Sequence, residues 1–184
     1  VVATVEGEVS VPAAEETLSY TDDAERAADS RWNYTFDGLG RLTAAEATGA
    51  EPRTRVEFDY DARGRRVRKQ VFRVAGAQAT LERSQRFAYD GWNPVHEVRV
   101  DWTVSPARTN SLTYTWGLDL DGRRSGRLDE EGGGVGALLA VTVDNGVDAP
   151  ACYLPLCDAV GTIYAWQDAG SGALVGEAEY SPFG

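Results

Sequence analysis

Apolar and polar residues alternate along this chain with a period of two, the signature of half-buried strands rather than of helices. Trp32, Tyr34 and Phe36 interleave with Asn33, Thr35 and Asp37; Val56, Phe58 and Tyr60 interleave with Arg55, Glu57, Asp59 and Asp61. The pattern returns at Phe87 and Tyr89, and at Val98, Val100 and Trp102 set against Glu97, Arg99 and Asp101. It returns again at Leu112, Tyr114 and Trp116, and at Ala178 and Tyr180. Each set predicts a strand with its aromatics on one sheet face. A further strand is expected over 137–143, with a loop from Asp144 to Pro150. Residues Asp22 to Ala28 hold caps and good helix formers. The preceding Tyr20-Thr21-Asp22, however, reads as a degenerate copy of the repeat described next, which favours a turn there.

Nearly every aromatic strand ends in the same punctuation. Phe36-Asp37-Gly38-Leu39-Gly40-Arg41-Leu42 has the form aromatic-Asp-x-x-Gly-Arg-apolar, and Tyr60-Asp61-Ala62-Arg63-Gly64-Arg65-Arg66-Val67 is a near copy. Tyr89-Asp90-Gly91-Trp92-Asn93 is a variant with Asn in the glycine position. Trp116-Gly117-Leu118-Asp119-Leu120-Asp121-Gly122 is looser, and Cys157-Asp158-Ala159-Val160-Gly161 keeps the Asp and Gly with Cys as the lead residue. The physical reading is a hairpin. The aromatic closes a strand on the buried face, the Asp carboxylate folds back onto backbone N–H groups two residues on, and the Gly or Asn accepts the positive φ that returns the chain. The expected fold is therefore all-β: consecutive antiparallel hairpins in an extended, twisted or spiralling sheet, with inserts of variable length between units.

Composition narrows the function classes. At 184 residues, 42% hydrophobic, the chain is long enough for a good-sized core or a short repeat array. A formal charge of −11 argues against nucleic acid and anionic membrane surfaces as partners. No apolar run approaches the length of a membrane span. The absence of Met and the Val1-Val2 start suggest a processed piece or internal fragment. Cys152 and Cys157, five apart with Pro155 between them, leave two readings open: a local disulfide in an oxidising compartment, or two free thiols. Without a nearby His they make a poor zinc site.

With these residues in view, the chain resembles the RHS (YD-repeat) family, in the segment leading into the RHS-associated core. The resemblance rests on Arg31-Trp32-Asn33-Tyr34-Thr35-Phe36-Asp37, on Phe58-Asp59-Tyr60-Asp61 with Gly64-Arg65-Arg66-Val67, and on Phe87-Ala88-Tyr89-Asp90-Gly91-Trp92-Asn93. It continues through Tyr114-Thr115-Trp116-Gly117-Leu118-Asp119-Leu120, the run from Gly132 to Val141, and Glu179-Tyr180-Ser181-Pro182-Phe183-Gly184. It implies a lead-in over 1–19, repeats over 20–130, and the start of the core over 131–184, ending at the Pro-Phe-Gly element. It further implies a non-catalytic, secreted or cell-surface scaffold. Repeats of this kind form long sheets that spiral into a shell around a C-terminal toxin or effector, or build large adhesive proteins. The implied partners are the remainder of such a chain and its effector domain, with self-association through sheet edges and contact with glycans as further expectations, and no cofactor. Glu25-Arg26, Cys157 and Ser181 depart from the family pattern, which affects local turns. The self-cleavage motif of shell-forming members lies beyond Pro-Phe-Gly, so no cleavage residue carries over.

Catalytic readings are weaker than structural ones. His96 beside Glu97 has the chemistry of a general base, but a lone strand histidine is more simply a solvated one. Asp59 and Asp61 share a parity and would lie about 7 Å apart, a spacing open to glycosidase carboxylates yet commonplace on a polar strand face. Asp119-Leu120-Asp121-Gly122 with Glu130 suggests a calcium loop, but Arg123 and Arg124 occupy positions where a ligand and a glycine are needed. The Gly132–Gly136 run lacks the context of a nucleotide loop. Trp92, Trp102 and Trp166 would stack on sugar rings if exposed, although burial in the aromatic ladder is the stronger expectation.

Overall fold

The structure is a computed structural model and describes residues 18–118, 122 and 137–180. These residues are all-β, and no helix among them is long and apolar enough to cross a membrane. Thirteen strands are formed: β1 Ser19–Tyr20, β2 Arg26–Ala28, β3 Trp32–Phe36, β4 Leu42–Ala47, β5 Arg53–Tyr60, β6 Arg66–Ala75, β7 Gln78–Asp90, β8 Asn93–Asp101, β9 Arg108–Trp116, β10 Leu138–Asp144, β11 Ala151–Cys157, β12 Ile163–Asp168 and β13 Leu174–Glu177. Sheet neighbours are chain neighbours throughout, in the order β1 to β13. A succession of hairpins gives this order because each tight turn leaves the next strand beside the last.

The residues group into two units, one containing 18–86 with 99–108 and the other 87–98 with 109–180. In the first, β5 and β6 form a long ladder, from Arg53 opposite Val74 to Tyr60 opposite Arg66, and β6 and β7 form one of equal length. The register slips between Asp59 and Tyr60, and Asp61 leaves the strand for the turn, so the two carboxylates do not share a strand parity as expected. In the second, β9, β10 and β11 pair in turn. Pro155 sits inside β11, beyond the last residue that β10 pairs, where its missing N–H costs no ladder bond.

Neither unit hides large side chains fully. The buried apolar residues are Ala45, Val74, Leu112, Ala137, Val141 and Ala165, and no large side chain among the described residues falls below 2% exposure. Among apolar residues, mainly small and β-branched ones take the most sheltered positions, while the ladder aromatics Trp32, Phe36, Tyr60, Tyr89 and Trp116 are half-buried. Stability then comes from cross-strand neighbours, each worth about 0.2–1 kcal/mol, more than from one enclosed core.

Of the two readings of the cysteines, the fold matches the free thiols. Cys152 and Cys157 are free and lie in the same extended strand, β11. Five residues of strand separate their Cα atoms by about 16 Å, against a bridging limit of about 7 Å. Their odd spacing also turns them to opposite faces. Alkylation of the unfolded chain without reductant should therefore add two labels per molecule by mass spectrometry; an unlabelled chain that takes two labels only after reduction would contradict this strand.

Candidate functional site: a ladder of acid turns

The motif residues meet in one recurring cell of atoms. Between β3 and β4, the Asp37 N–H donates to the Arg41 carbonyl and the Gly40 N–H to the Asp37 carbonyl, both at 3.0 Å. Asp37 Oδ1 accepts the Leu39 and Arg41 N–H groups at 2.9 and 3.0 Å. Between β5 and β6, Asp61 repeats the arrangement with Gly64, Arg63 and Arg65, at distances of 2.9–3.0 Å. Between β11 and β12, Asp158 does so with Gly161, Val160 and Thr162. The glycines have φ of +73°, +79° and +85°, the left-handed region that L side chains avoid.

The same cell closes β1 on β2 without either signature residue. Thr21 stands in the Asp position, its Oγ1 accepting the Glu25 N–H at 3.2 Å, and Ala24 occupies the glycine position at φ +61°. Between Asp22 and Ala28 there is thus a turn, as expected, and no helix; the turn closes at Glu25, and Arg26–Ala28 is strand β2. Composition disguises the turn, because a hydroxyl replaces the carboxylate and a methyl replaces the hydrogen.

The arginine after the glycine, part of the motif but given no role by sequence reasoning, ties one cell to the next. Arg41 Nε and Nη2 each reach Asp37 Oδ2 at 2.7 Å. Its Nη1 donates to the Asp61 carbonyl of the following cell at 3.2 Å, and its guanidinium lies 5.1 Å from the centre of the Tyr60 ring. Arg65 holds Asp61 in the same way. The recurrence of Arg at one offset in two successive motifs was the available signal.

Aromatic tips supply a second tie. Tyr60 Oη donates to the Leu42 carbonyl at 2.8 Å, Trp116 Nε1 to the Pro94 carbonyl at 2.7 Å, and Tyr180 Oη to the Ile163 carbonyl at 2.7 Å. Tyr60 and Trp116, at the ends of β5 and β9, and Tyr180, past the end of β13, each grip a carbonyl at or near the start of an earlier strand, β4, β8 and β12 in turn. The aromatic ladder is thus hydrogen-bonded as well as packed.

Several expectations change. The turn after Asp90 is a two-residue connection, Gly91-Trp92, and Gly91 carries the positive φ of +60°; Asn93 begins β8 and does not take the glycine role. Gly117 is no turn glycine either: its N–H pairs with the Ala137 carbonyl, and a Cβ there would sit 2.7 Å from Leu139. Trp92 and Trp102 are 41% and 44% exposed, against the expectation of burial, because one lies in the turn and the other just past the end of β8. Trp166 stays half-buried in β12. Glu97, read as a polar-face residue, is 3% exposed, and its Oε2 accepts the Tyr114 hydroxyl at 2.8 Å. Its neighbour His96, on the other strand face, lies 3.2 Å from the Thr113 hydroxyl. Asp59 is ion-paired with Arg68. Gly184, Asp119, Asp121, Glu130 and the Gly132–Gly136 run lie outside the described residues.

Electrostatics follow the turns. The Asp37 carboxyl is held below its ordinary 3.8 first by the Arg41 backbone N–H and then by the Arg41 side chain. Partial burial pushes Asp61 up, but the hydrogen bonds from Arg65 and Arg63 outweigh it and the net shift is down. Asp29, which accepts the Tyr34 hydroxyl at 2.7 Å and the backbone N–H groups of Arg31 and Trp32, is lowered chiefly by that phenol. Asp168 is lowered by the Ser171 backbone N–H and hydroxyl. Among the described residues, no three His, Cys, Asp or Glu side chains gather closely enough to hold a metal ion. No family model matches the chain, and no match is found among curated proteins.

Two outcomes follow from the cell. Ala24→Gly relieves a left-handed alanine and should stabilise the chain by about 1 kcal/mol in denaturant unfolding, whereas Gly64→Ala should cost about the same or more. Because the folded-state carboxyls are depressed, their stabilisation is present above the unfolded value of 3.8 and lost as pH falls through the lower folded values. The thermal midpoint should fall on acidification below about pH 4, and less steeply in a chain carrying both Asp37→Asn and Asp61→Asn; equal slopes would remove these turns as the cause.

Proposed function

We propose that this chain is a non-catalytic structural segment of a large exported protein of the RHS type, a length of wall or scaffold that encloses or delivers a C-terminal effector. The observation that carries the reading is the recurrence of one turn cell in three Asp-Gly hairpins, with its backbone bonds formed once more around Thr21 and Ala24. Repeated cells tied by Arg41 and by the aromatic tips suit an array that extends by adding hairpins. The motif carboxylates are already engaged: Asp37, Asp61 and Asp158 hold backbone N–H groups, and Asp59 holds Arg68. The partners on this reading are the rest of the parent chain and its effector, outside the cell or at its surface. Self-association would proceed through sheet edges, which template added strands.

A second reading, an extracellular adhesion, filament-forming or carbohydrate-contacting module, is favoured by the exposure of Trp92 and Trp102.

The coding sequence decides the first reading. It should run past Gly184 into a self-cleavage region and a variable terminal domain; a parent gene without these would remove its main support. As a check on the non-catalytic character, the wild-type chain should turn over no aryl glycosides, and hydrolysis abolished by Asp59→Asn or Asp61→Asn would overturn it.

A further inference from the structure

We propose that the open cleft beside Trp102 binds an acidic saccharide, with the indole as the platform for a sugar ring and Arg73 as the partner of its carboxylate. The inference rests on the second reading above and gives it a location and a ligand class.

The cleft, of about 510 Å³, is formed by the ends of β6 and β7 and the start of the β8–β9 connection, and it is lined in part by Arg73, Gln78, Thr80, Glu82, Trp102 and Thr103. Its shape comes from a bulge. On β7, Arg83 faces Val71 and Leu81 faces Phe72, so Glu82 is the extra residue and opposes no residue of β6. Bulges bend a strand and re-aim its side chains. The carbonyl this bulge frees accepts the Trp102 N–H at 2.8 Å, fixing the tryptophan at the rim. Asp101 Oδ1 then takes the Thr103 N–H and hydroxyl, at 2.8 and 2.5 Å, which sets the next residue of the connection. Trp102 therefore stands 44% exposed on a backbone held from both sides, unlike Trp116, whose indole N–H is tied to the Pro94 carbonyl.

The chemistry of the lining selects the ligand. An exposed indole face suits the apolar face of a pyranose or the face of a nucleobase. Arg73 is exposed, pairs across the ladder with Thr80, and takes part in none of the ion pairs found among the described residues. A guanidinium in that state is suited to a carboxylate, which it grips with two parallel N–H donors. Glu82 separates sugar from nucleic acid: a carboxylate accepts hydroxyl protons and repels phosphate. Gln78, Thr80 and Thr103 add neutral donors and acceptors. The wider field agrees. Although the chain carries −11, residues 53–86 hold ten Lys or Arg and four Asp or Glu, a local +6. That excess draws an anionic ligand to this stretch.

The test uses the full chain titrated with tetragalacturonate, with its methyl ester, and with a thymidine oligonucleotide, followed by tryptophan fluorescence and calorimetry at physiological salt. Tetragalacturonate should bind in preference to the ester. Trp102→Ala should weaken binding about tenfold or more, and Arg73→Gln should erase the preference for acid over ester while leaving ester binding unchanged, with both variants unfolding at the wild-type temperature. No binding of tetragalacturonate, equal binding by Trp102→Ala, or equal binding of the oligonucleotide would overturn the proposal. If Trp92→Ala removes binding and Trp102→Ala does not, the glycan-contacting reading survives and this cleft does not.

Discussion

The Asp-Gly hairpins of this chain depend on a carboxylate oxygen that accepts two backbone N–H groups of its own turn. Strand register is ordinarily fixed by burial, since a one-residue slip would move every apolar side chain to the solvent. Here that constraint is weak. Both strand parities carry half-buried residues in β5 and β6, and the sheltered positions go mainly to small side chains such as Ala45 and Ala165. Local turns must then define which residues face each other. Asp37, Asp61 and Asp158 do so by holding the chain in a fixed loop length, with one left-handed residue as the pivot. Because the loop length is the same each time, the pairing on either side of it is set each time.

The ties between cells explain why the motif contains more than a turn requires. A lone hairpin is only marginally stable in water. Arg41 spends its donors on two consecutive cells, and the Tyr60 hydroxyl returns to β4, so two adjacent hairpins share side chains as well as a ladder. The glycines serve this stacking too. A Cβ on Gly40 would meet Glu25 Oε1 at 3.0 Å, and one on Gly64 would lie 4.0 Å from Arg41 Cδ. The residue after each left-handed position therefore lies over the glycine of the next turn, at decreasing tightness along the chain.

Much of this was legible in the sequence because its causes are local. A period of two gives strands, and Asp-x-x-Gly gives a turn with a stated hydrogen bond; both are properties of a few adjacent residues. What escaped depends on atoms far apart in sequence. The role of Arg41 requires Asp61, twenty residues on, and the burial of Glu97 requires Tyr114, seventeen residues on. The β1–β2 turn was expected from the degenerate Tyr20-Thr21-Asp22, but its hydrogen bonds were not, because Thr21 and Ala24 are poor advertisements for them. Trp92 and Trp102 were misplaced because alternation says which side a strand residue faces and nothing about where the strand stops. The two cysteine readings stayed open in the sequence because a spacing of five does not say that β11 runs straight through both residues.

The two ends of the strands play different parts. In the unit that contains β3 to β6, the β3–β4 and β5–β6 turns lie at one end, are built from the same atoms and leave little freedom to change. The opposite end holds the β6–β7 turn and the start of the β8–β9 connection, which share no such cell. There the backbone departs from regularity at Glu82, and an exposed tryptophan follows. A scaffold that fixes one end of its hairpins by a repeated device leaves the other free to vary without disturbing register, and loops so positioned are where binding groups concentrate. On the proposals above, construction falls to the acid turns and recognition to the opposite connections. It also accounts for the aspartates that most resemble catalytic residues lying at the end where their carboxylates are already occupied.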